Sequence, residues 1–322
     1  MKFFNLLSIA FLFCLTSLPC MTQSISNKEN PYLIAYNIRT LDTTADDWEI
    51  MIMNMDGGDK KNLTQHKDVA WTYYAFDNRL FFISDRDSAY RNYYLYEMNP
   101  DGAHVRKISN LRLEDSWMGS RNNGDEMIVT GRIGKDIRHQ LFLINTQTGT
   151  FTQLTKDTAA YFRDPLFSND GKYIVYTYKK NKRDRNETEE LYIMNSDGSH
   201  VRKLTEYPKD NISFKDYGYK AGAARWHPTE NFISYISKQD GKHGIFGVTP
   251  DGSKRWKVLE SDHADGWHDW SPDGQWLAFN RSDPEEKQFH IMLMNWKTKE
   301  LKQLTDNSLK IQMAPVFLTK ID

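Results

Sequence analysis

Only two cysteines occur in the 322 residues, Cys14 and Cys20, and both lie in or beside an apolar leader. The remainder of the chain therefore has no disulfide, no thiolate nucleophile and no cysteine zinc site. Neither sign of charge is in excess: 42 Lys and Arg face 43 Asp and Glu, a formal charge of −1. Nucleic-acid binding would demand a basic footprint, so that class of partner is excluded. Beyond the leader no apolar run reaches membrane-spanning length, and runs of helical period are scarce. Catalytic signatures are missing too. There is no G-x-S-x-G, no H-E-x-x-H, no Gly-rich phosphate loop and no dinucleotide fingerprint, and a serine peptidase would need a hydrolase domain for which no residues remain.

The leader itself, MKFFNLLSIAFLFCLTSLPCMTQS, sets Lys2 before an apolar stretch that gives way to small and polar residues. It reads as a secretory signal peptide over residues 1–24, cleaved after Ser24, and it predicts a periplasmic or secreted protein. A lipid anchor on Cys20 is disfavoured by the poor lipobox Ser17-Leu18-Pro19. Residues 25–322 read as one domain. At this length a core can be built by burial without disulfides.

Within that domain one pattern recurs. ELYIMNSDGSHVRKLT, from Glu190 to Thr205, is an alternating apolar run, an Asn-x-Asp-Gly corner and a second run ending in Leu-Thr. Asp-Gly between two period-2 segments is a hairpin signal, because Gly takes positive φ without steric cost. Copies anchored at Asn54, Asn99, Asn145, Asn195, Thr249 and Asn295 are spaced by 45, 46, 50, 54 and 46 residues. A second hairpin, clearest in HDWSPDGQWLAFNR (His268 to Arg281), alternates with the first. Two hairpins per repeat make a four-stranded propeller blade.

The ends of the repeat array predict how the ring closes. Ala314-Pro315-Val316-Phe317 supplies a first strand and stops, while Leu33-Ile34-Ala35-Tyr36 supplies a second strand with nothing before it. Paired, they complete one blade and remove exposed sheet edges. The expectation is an all-β, six-bladed propeller of four-stranded antiparallel blades.

The P-x-W-S-P-D-G-type corner combined with the Y-x-M-N-x-D-G…L-T hairpin resembles the TolB-like β-propeller repeat family. The likeness runs from about Pro31 to Phe317. About six residues separate a Ser24 cleavage from the first strand, so the resemblance is to the propeller alone, without the α/β domain that precedes it in TolB proper. Related propellers also serve as domains of prolyl peptidases and as polysaccharide lyases acting on uronic acids, and fold does not choose among these.

Propeller geometry places the tight Asp-Gly corners on one face and the longer loops on the other, where binding is normally built. The longest, Glu206 to Ala223, is expected to cover part of the channel mouth. Aligned copies put Trp71, Trp117, Asp164, Ala223, Trp267 and Ala314 at one position at the start of the first strands. Three tryptophans there either form a rim that stacks on a sugar or peptide or wedge between adjacent blades. Arg163, Asp164, Tyr219, Arg225, His263 and His268 lie beside them and complete the candidate ligand-binding set. His263, His268 and Asp269 suggest a base or metal ligands, but no third and fourth donor is visible in the sequence. No cofactor is therefore predicted, although a divalent metal stays open. Overall the chain reads as a monomeric, non-enzymatic binding module for a protein, peptide or glycan, with a uronate-specific polysaccharide lyase as the alternative.

Overall fold

The computed structural model describes residues 30–40, 47–184, 187–207, 220–239 and 241–320. The leader, Tyr219 and most of the Glu206 to Ala223 loop lie outside these residues. Pro31–Asp322 forms one compact unit. Its sheets are six, and no described residue is helical.

Blade one is closed as the terminal strands require. Gln312–Thr319 pairs antiparallel with Tyr32–Arg39, with Leu33 opposite Leu318, Ile34 opposite Phe317 and Ala35 opposite Val316. Trp48–Asn54 and Lys61–Asn62 complete that sheet. Blade two begins at Ala70–Phe76, blade four at Tyr161–Phe167, blade five at Ala221–Trp226 and blade six at Ala264–Trp270, each continuing through three more strands in sequence order. Blade three departs from the pattern. Its inner strand is split into Arg112–Leu113 and Gly119–Arg121, both paired with Glu126–Ile133. The interruption, residues 114–118, leads into MGSRNNGDEMIVTG (Met118 to Gly131), a copy of the second hairpin that keeps neither the proline nor the aromatic of the motif.

The tertiary structure explains why Asp-Gly and Leu-Thr travel together. In the corner after Asn195 the Gly198 amide donates to the Asn195 carbonyl at 2.9 Å, and the Asp197 carboxylate accepts from the Ser199 amide at 2.9 Å. Such Asx-type bonds fix the turn locally. Each closing threonine then accepts an amide from the third strand of its own blade. Thr64 takes that of Ile50, Thr155 that of Leu141, Thr205 that of Leu191 and Thr305 that of Ile291, all at 2.9–3.0 Å.

The leucine before the threonine receives the glycine of the next blade's corner. Gly57 has φ 85°, and a Cβ there would lie 2.7 Å from the Leu304 carbonyl oxygen of blade six. The same approach is made by Gly102 to Leu63 and by Gly252 to Leu204. Adjacent blades are thus stacked through a backbone contact that leaves no room for a side chain. Gly57→Ala is expected to cost about 2–3 kcal/mol, combining left-handed strain with overpacking. Urea denaturation measures it, and a loss under about 0.5 kcal/mol would show that the blades simply shift apart, within the range of ordinary surface substitutions.

Blade cores follow period-2 burial. Val175 faces blade five, beside Ala221, Ile233 and Tyr235, while Ile174 and Tyr176 face blade three, beside Ile128 and Leu141. Trp270 is buried with Phe232 and Leu277, and Trp226 packs against the blade-five cluster, so both serve the structural role their motif position implies.

Candidate functional site at the channel mouth

The six first strands line the central channel, and most carry a bulge at one height. Register shifts separate Thr72 from Tyr74, Arg163 from Leu166, Gly222 from Arg225, Asp265 from His268, and the partners of Ala35 from those of Asn37. A bulge bends the strand and re-aims side chains, which suits a narrowing mouth. Asp164, Ala223 and Ala314, aligned from the sequence, share φ values of 50°, 48° and 54° there.

Buried polar side chains hold these bulges. Asn37 accepts the Thr72 amide at 2.7 Å and donates to the Thr72 carbonyl at 3.0 Å, linking blades one and two. Thr177 donates to the Ala221 carbonyl at 3.0 Å, linking blades four and five. Asp164 is the hub. Its carboxylate accepts from the Ser116 hydroxyl and the Trp117 amide of blade three and from the Ala223 amide of blade five. That carboxylate is therefore occupied by the protein itself.

The three aligned tryptophans meet. Trp71 and Trp267 have centroids 5.9 Å apart, and Trp117 and Trp267 are 6.5 Å apart. Tyr73 joins Trp71 at 5.7 Å and Trp117 at 4.9 Å. Blades three and six stand on opposite sides of a six-membered ring, so the Trp117–Trp267 contact crosses the channel. The rings pack onto one another instead of lying singly between blades. Trp117 is 2% and Trp71 8% exposed, and Trp267 alone of the three remains partly exposed.

Arg225 of blade five fills the space beneath them. Its guanidinium carbon lies 4.0 Å from the Trp117 ring centroid. Nη2 donates to the Tyr73 carbonyl at 3.0 Å, across the ring in blade two, and Nε donates to Asp269 of blade six at 3.0 Å. Burial raises the Asp269 carboxyl above its ordinary range and lowers the Arg225 guanidinium. A cation over an aromatic face and a hydrogen-bonded carboxylate together offset that desolvation.

Around this plug stands a polar rim. The Tyr73 hydroxyl donates to the exposed carboxylate of Asp115. Arg163 donates to the Asp115 carbonyl at 3.2 Å, and its Nε lies 3.4 Å from Asp164, whose charge holds the guanidinium more firmly protonated. Tyr161 faces His139 at 4.6 Å. His263 sits exposed on the loop before Ala264–Trp270, beside Arg281 in a separate cavity of about 640 Å³. Among the described residues no three His, Cys, Asp or Glu side chains converge as a set of metal donors.

No protein-family model and no curated protein matches the sequence. Solved structures do match. TolB from Acinetobacter baumannii superposes with a TM-score of 0.69 at 13% identity, over 88% of this chain and 66% of that one. The fold is that of a TolB-like propeller. An oligogalacturonate lyase from Vibrio parahaemolyticus gives 0.54 at 14% identity, over 81% of this chain and 72% of its own. A chain of a nidogen–laminin complex gives 0.63 at 10% identity, over 89% and 98%. At these identities the likeness is one of fold.

In this TolB-like propeller the structure brings Trp71, Trp117, Trp267, Arg163, Asp164 and Arg225 to one mouth. It does not bring His263 to the cluster, and it leaves His268 behind the strand. Trp270 Nε1 donates to Ser234 Oγ at 2.8 Å, and Ser234 in turn reaches His268 Nε2 at 2.7 Å. Ser234 Oγ also donates to the Arg225 carbonyl at 3.3 Å, and burial keeps His268 neutral. Tyr73 and Asp115 complete the rim. Tyr73 lies in TYYAFDNRLFFIS (Thr72 to Ser84), a degenerate copy of the second hairpin in which no motif marks the inward position.

A pH dependence follows. Burial depresses His268 well below 6.5, with Arg225 adding to the effect, and burial lowers His139 to about 4. The unfolded chain therefore binds more protons than the folded one below pH 6.5, so stability is full above that value and falls as pH drops toward 4. Melting temperature should decline across this window, with a shallower slope in His139→Asn. An unchanged slope in that variant would remove His139 from the account.

Proposed function

We propose that this chain is an exported, non-enzymatic binding module that takes a protein, peptide or glycan on its loop face. The observation that carries the reading is the partly exposed Trp267, held on a locked aromatic plug beside Asp115 and Arg163. A ring fixed by Trp71 and Trp117 loses little freedom on binding, and a preorganised aromatic anchor with a polar rim is the composition of a binding surface. Export rests on the leader of residues 1–24.

The lyase alternative asks Arg163 or Arg225 to neutralise a uronate and a histidine or tyrosine to act as base. Arg225 is committed to Asp269 and two backbone carbonyls, and His268 is 1% exposed and bonded to Ser234. Those commitments favour binding over catalysis. The test incubates the protein with uronate-containing polysaccharides, with and without divalent metals, and follows the ultraviolet absorbance of unsaturated products. Steady product formation would overturn the binding-module reading, and a flat trace across the panel supports it.

A further inference from the structure

The face of blade four turned toward blade three carries a cavity of about 780 Å³, lined by Phe162 but by none of the mouth residues named above. This lies within the range of roughly 300–1,000 Å³ common to small-molecule sites. Its wall is aromatic. Period 2 puts Tyr176 and Tyr178 on one side of their strand, and the register sets Tyr192 directly opposite Tyr176. Tyr178 packs 4.8 Å from Tyr192 and 5.2 Å from Phe162, so the rings run continuously across three strands.

The repeat does not require these rings. By register, the positions equivalent to Tyr178 hold Ile38, Ser84, Gly131, Ser237 and Arg281 in the other blades. Tyr178 and Tyr192 are half-buried, and no hydroxyl of Tyr176, Tyr178 or Tyr192 is among the buried polar atoms left without a partner, so these phenols open onto the cavity they line. Burial keeps all three protonated, so each can both donate and accept.

The carboxylates of the cavity are already used. Glu190 accepts from the Thr205 hydroxyl at 2.7 Å and the Tyr207 amide at 3.2 Å and pairs with Lys203 at 3.1 Å. Glu187 accepts the amides of Lys180 and Asn181. Lys180 and Asp184, both exposed, also line the cavity, and Asp184 already has a partner. Beside these charges are flat apolar faces and phenolic groups that both give and take hydrogen bonds. Sugars present the complement, with apolar ring faces and a rim of hydroxyls.

We infer that blade four holds a saccharide site separate from the channel mouth, with sugar rings stacked on Tyr178 and Tyr192 and sugar hydroxyls bonded to the phenolic groups. This goes beyond the mouth reading and does not depend on it.

Calorimetric titration of the protein with neutral gluco-oligosaccharides and with uronic-acid oligosaccharides tests it, one arm for each sugar type. Saturable binding in either arm is expected. Tyr178→Phe and Tyr192→Phe keep the rings and the fold, and each should weaken that binding about three- to tenfold, the worth of one neutral hydrogen bond. Val201→Trp, at a cavity residue 55% exposed, should block the site without touching the core. Absence of binding across both arms overturns the inference. So does binding that survives the Tyr178→Phe/Tyr192→Phe double variant and Val201→Trp but is lost in Trp267→Ala. That last outcome would leave the proposed function standing.

Discussion

Trp117→Ala should lower stability by about 3–5 kcal/mol, as truncation of a buried aromatic does, while Trp267→Ala should cost far less and remove ligand. The two residues occupy aligned positions, yet their surroundings differ. Trp117 is 2% exposed, contacts Tyr73 at 4.9 Å and lies under the Arg225 guanidinium at 4.0 Å. Its removal opens a cavity at the channel centre and strips a buried cation of its aromatic cover. Trp267 keeps a face toward solvent and touches Trp71 and Trp117 by its other parts. Thermal melting of both variants makes the comparison. A fall of about 10 °C for Trp117→Ala fits the expected loss at this chain length. Equal small losses would mean the plug is loosely packed, and its role as a rigid anchor would fail with it.

Asp269→Ala is the second large effect, at about 3–5 kcal/mol, because removing one partner leaves a buried charge uncompensated. Arg225 is 4% exposed and its Nε would lose its acceptor. The Phe317 amide, on the strand that closes the ring, would also lose Asp269 Oδ2 at 2.9 Å. Damage should therefore extend to the joint between blades six and one. The pair is not expected to be indispensable. Replacing both members, as Asp269→Leu with Arg225→Met, should recover the part of the loss that comes from the uncompensated ion, while the Phe317 amide and the Tyr73 carbonyl stay without their partners. Urea denaturation of the single and double variants gives the coupling, and additive effects would show that the two side chains act independently.

The blade number, the closing strand pair and the face of each loop were legible because they rest on local chemistry. Asp-Gly corners, Leu-Thr endings and period-2 strands are each specified within a few residues, and their recurrence counts the blades. The split inner strand of blade three, Arg112–Leu113 and Gly119–Arg121, was not legible, because its copy retains neither the proline-like position nor the aromatic of the motif.

For the candidate site, alignment gave the height of the tryptophans but not their contacts. Whether three side chains at one height point at one another or between blades depends on channel radius and on bulge geometry, and neither is written in any one repeat. The same holds for His268. Its sequence position suggested the mouth, whereas the Ser234 and Trp270 bonds draw it into the wall between blades five and six.

The sequence by itself therefore determined the architecture, since each hairpin carries its own turn chemistry and its own apolar face. Only the tertiary structure decided which polar and aromatic residues are spent on holding the ring together. Asp164, Arg225 and His268 bond across blade boundaries, between residues 34 to 152 positions apart. Contacts over such separations arise from ring closure, and they leave Trp267 partly exposed at the mouth and the phenols of blade four facing a cavity.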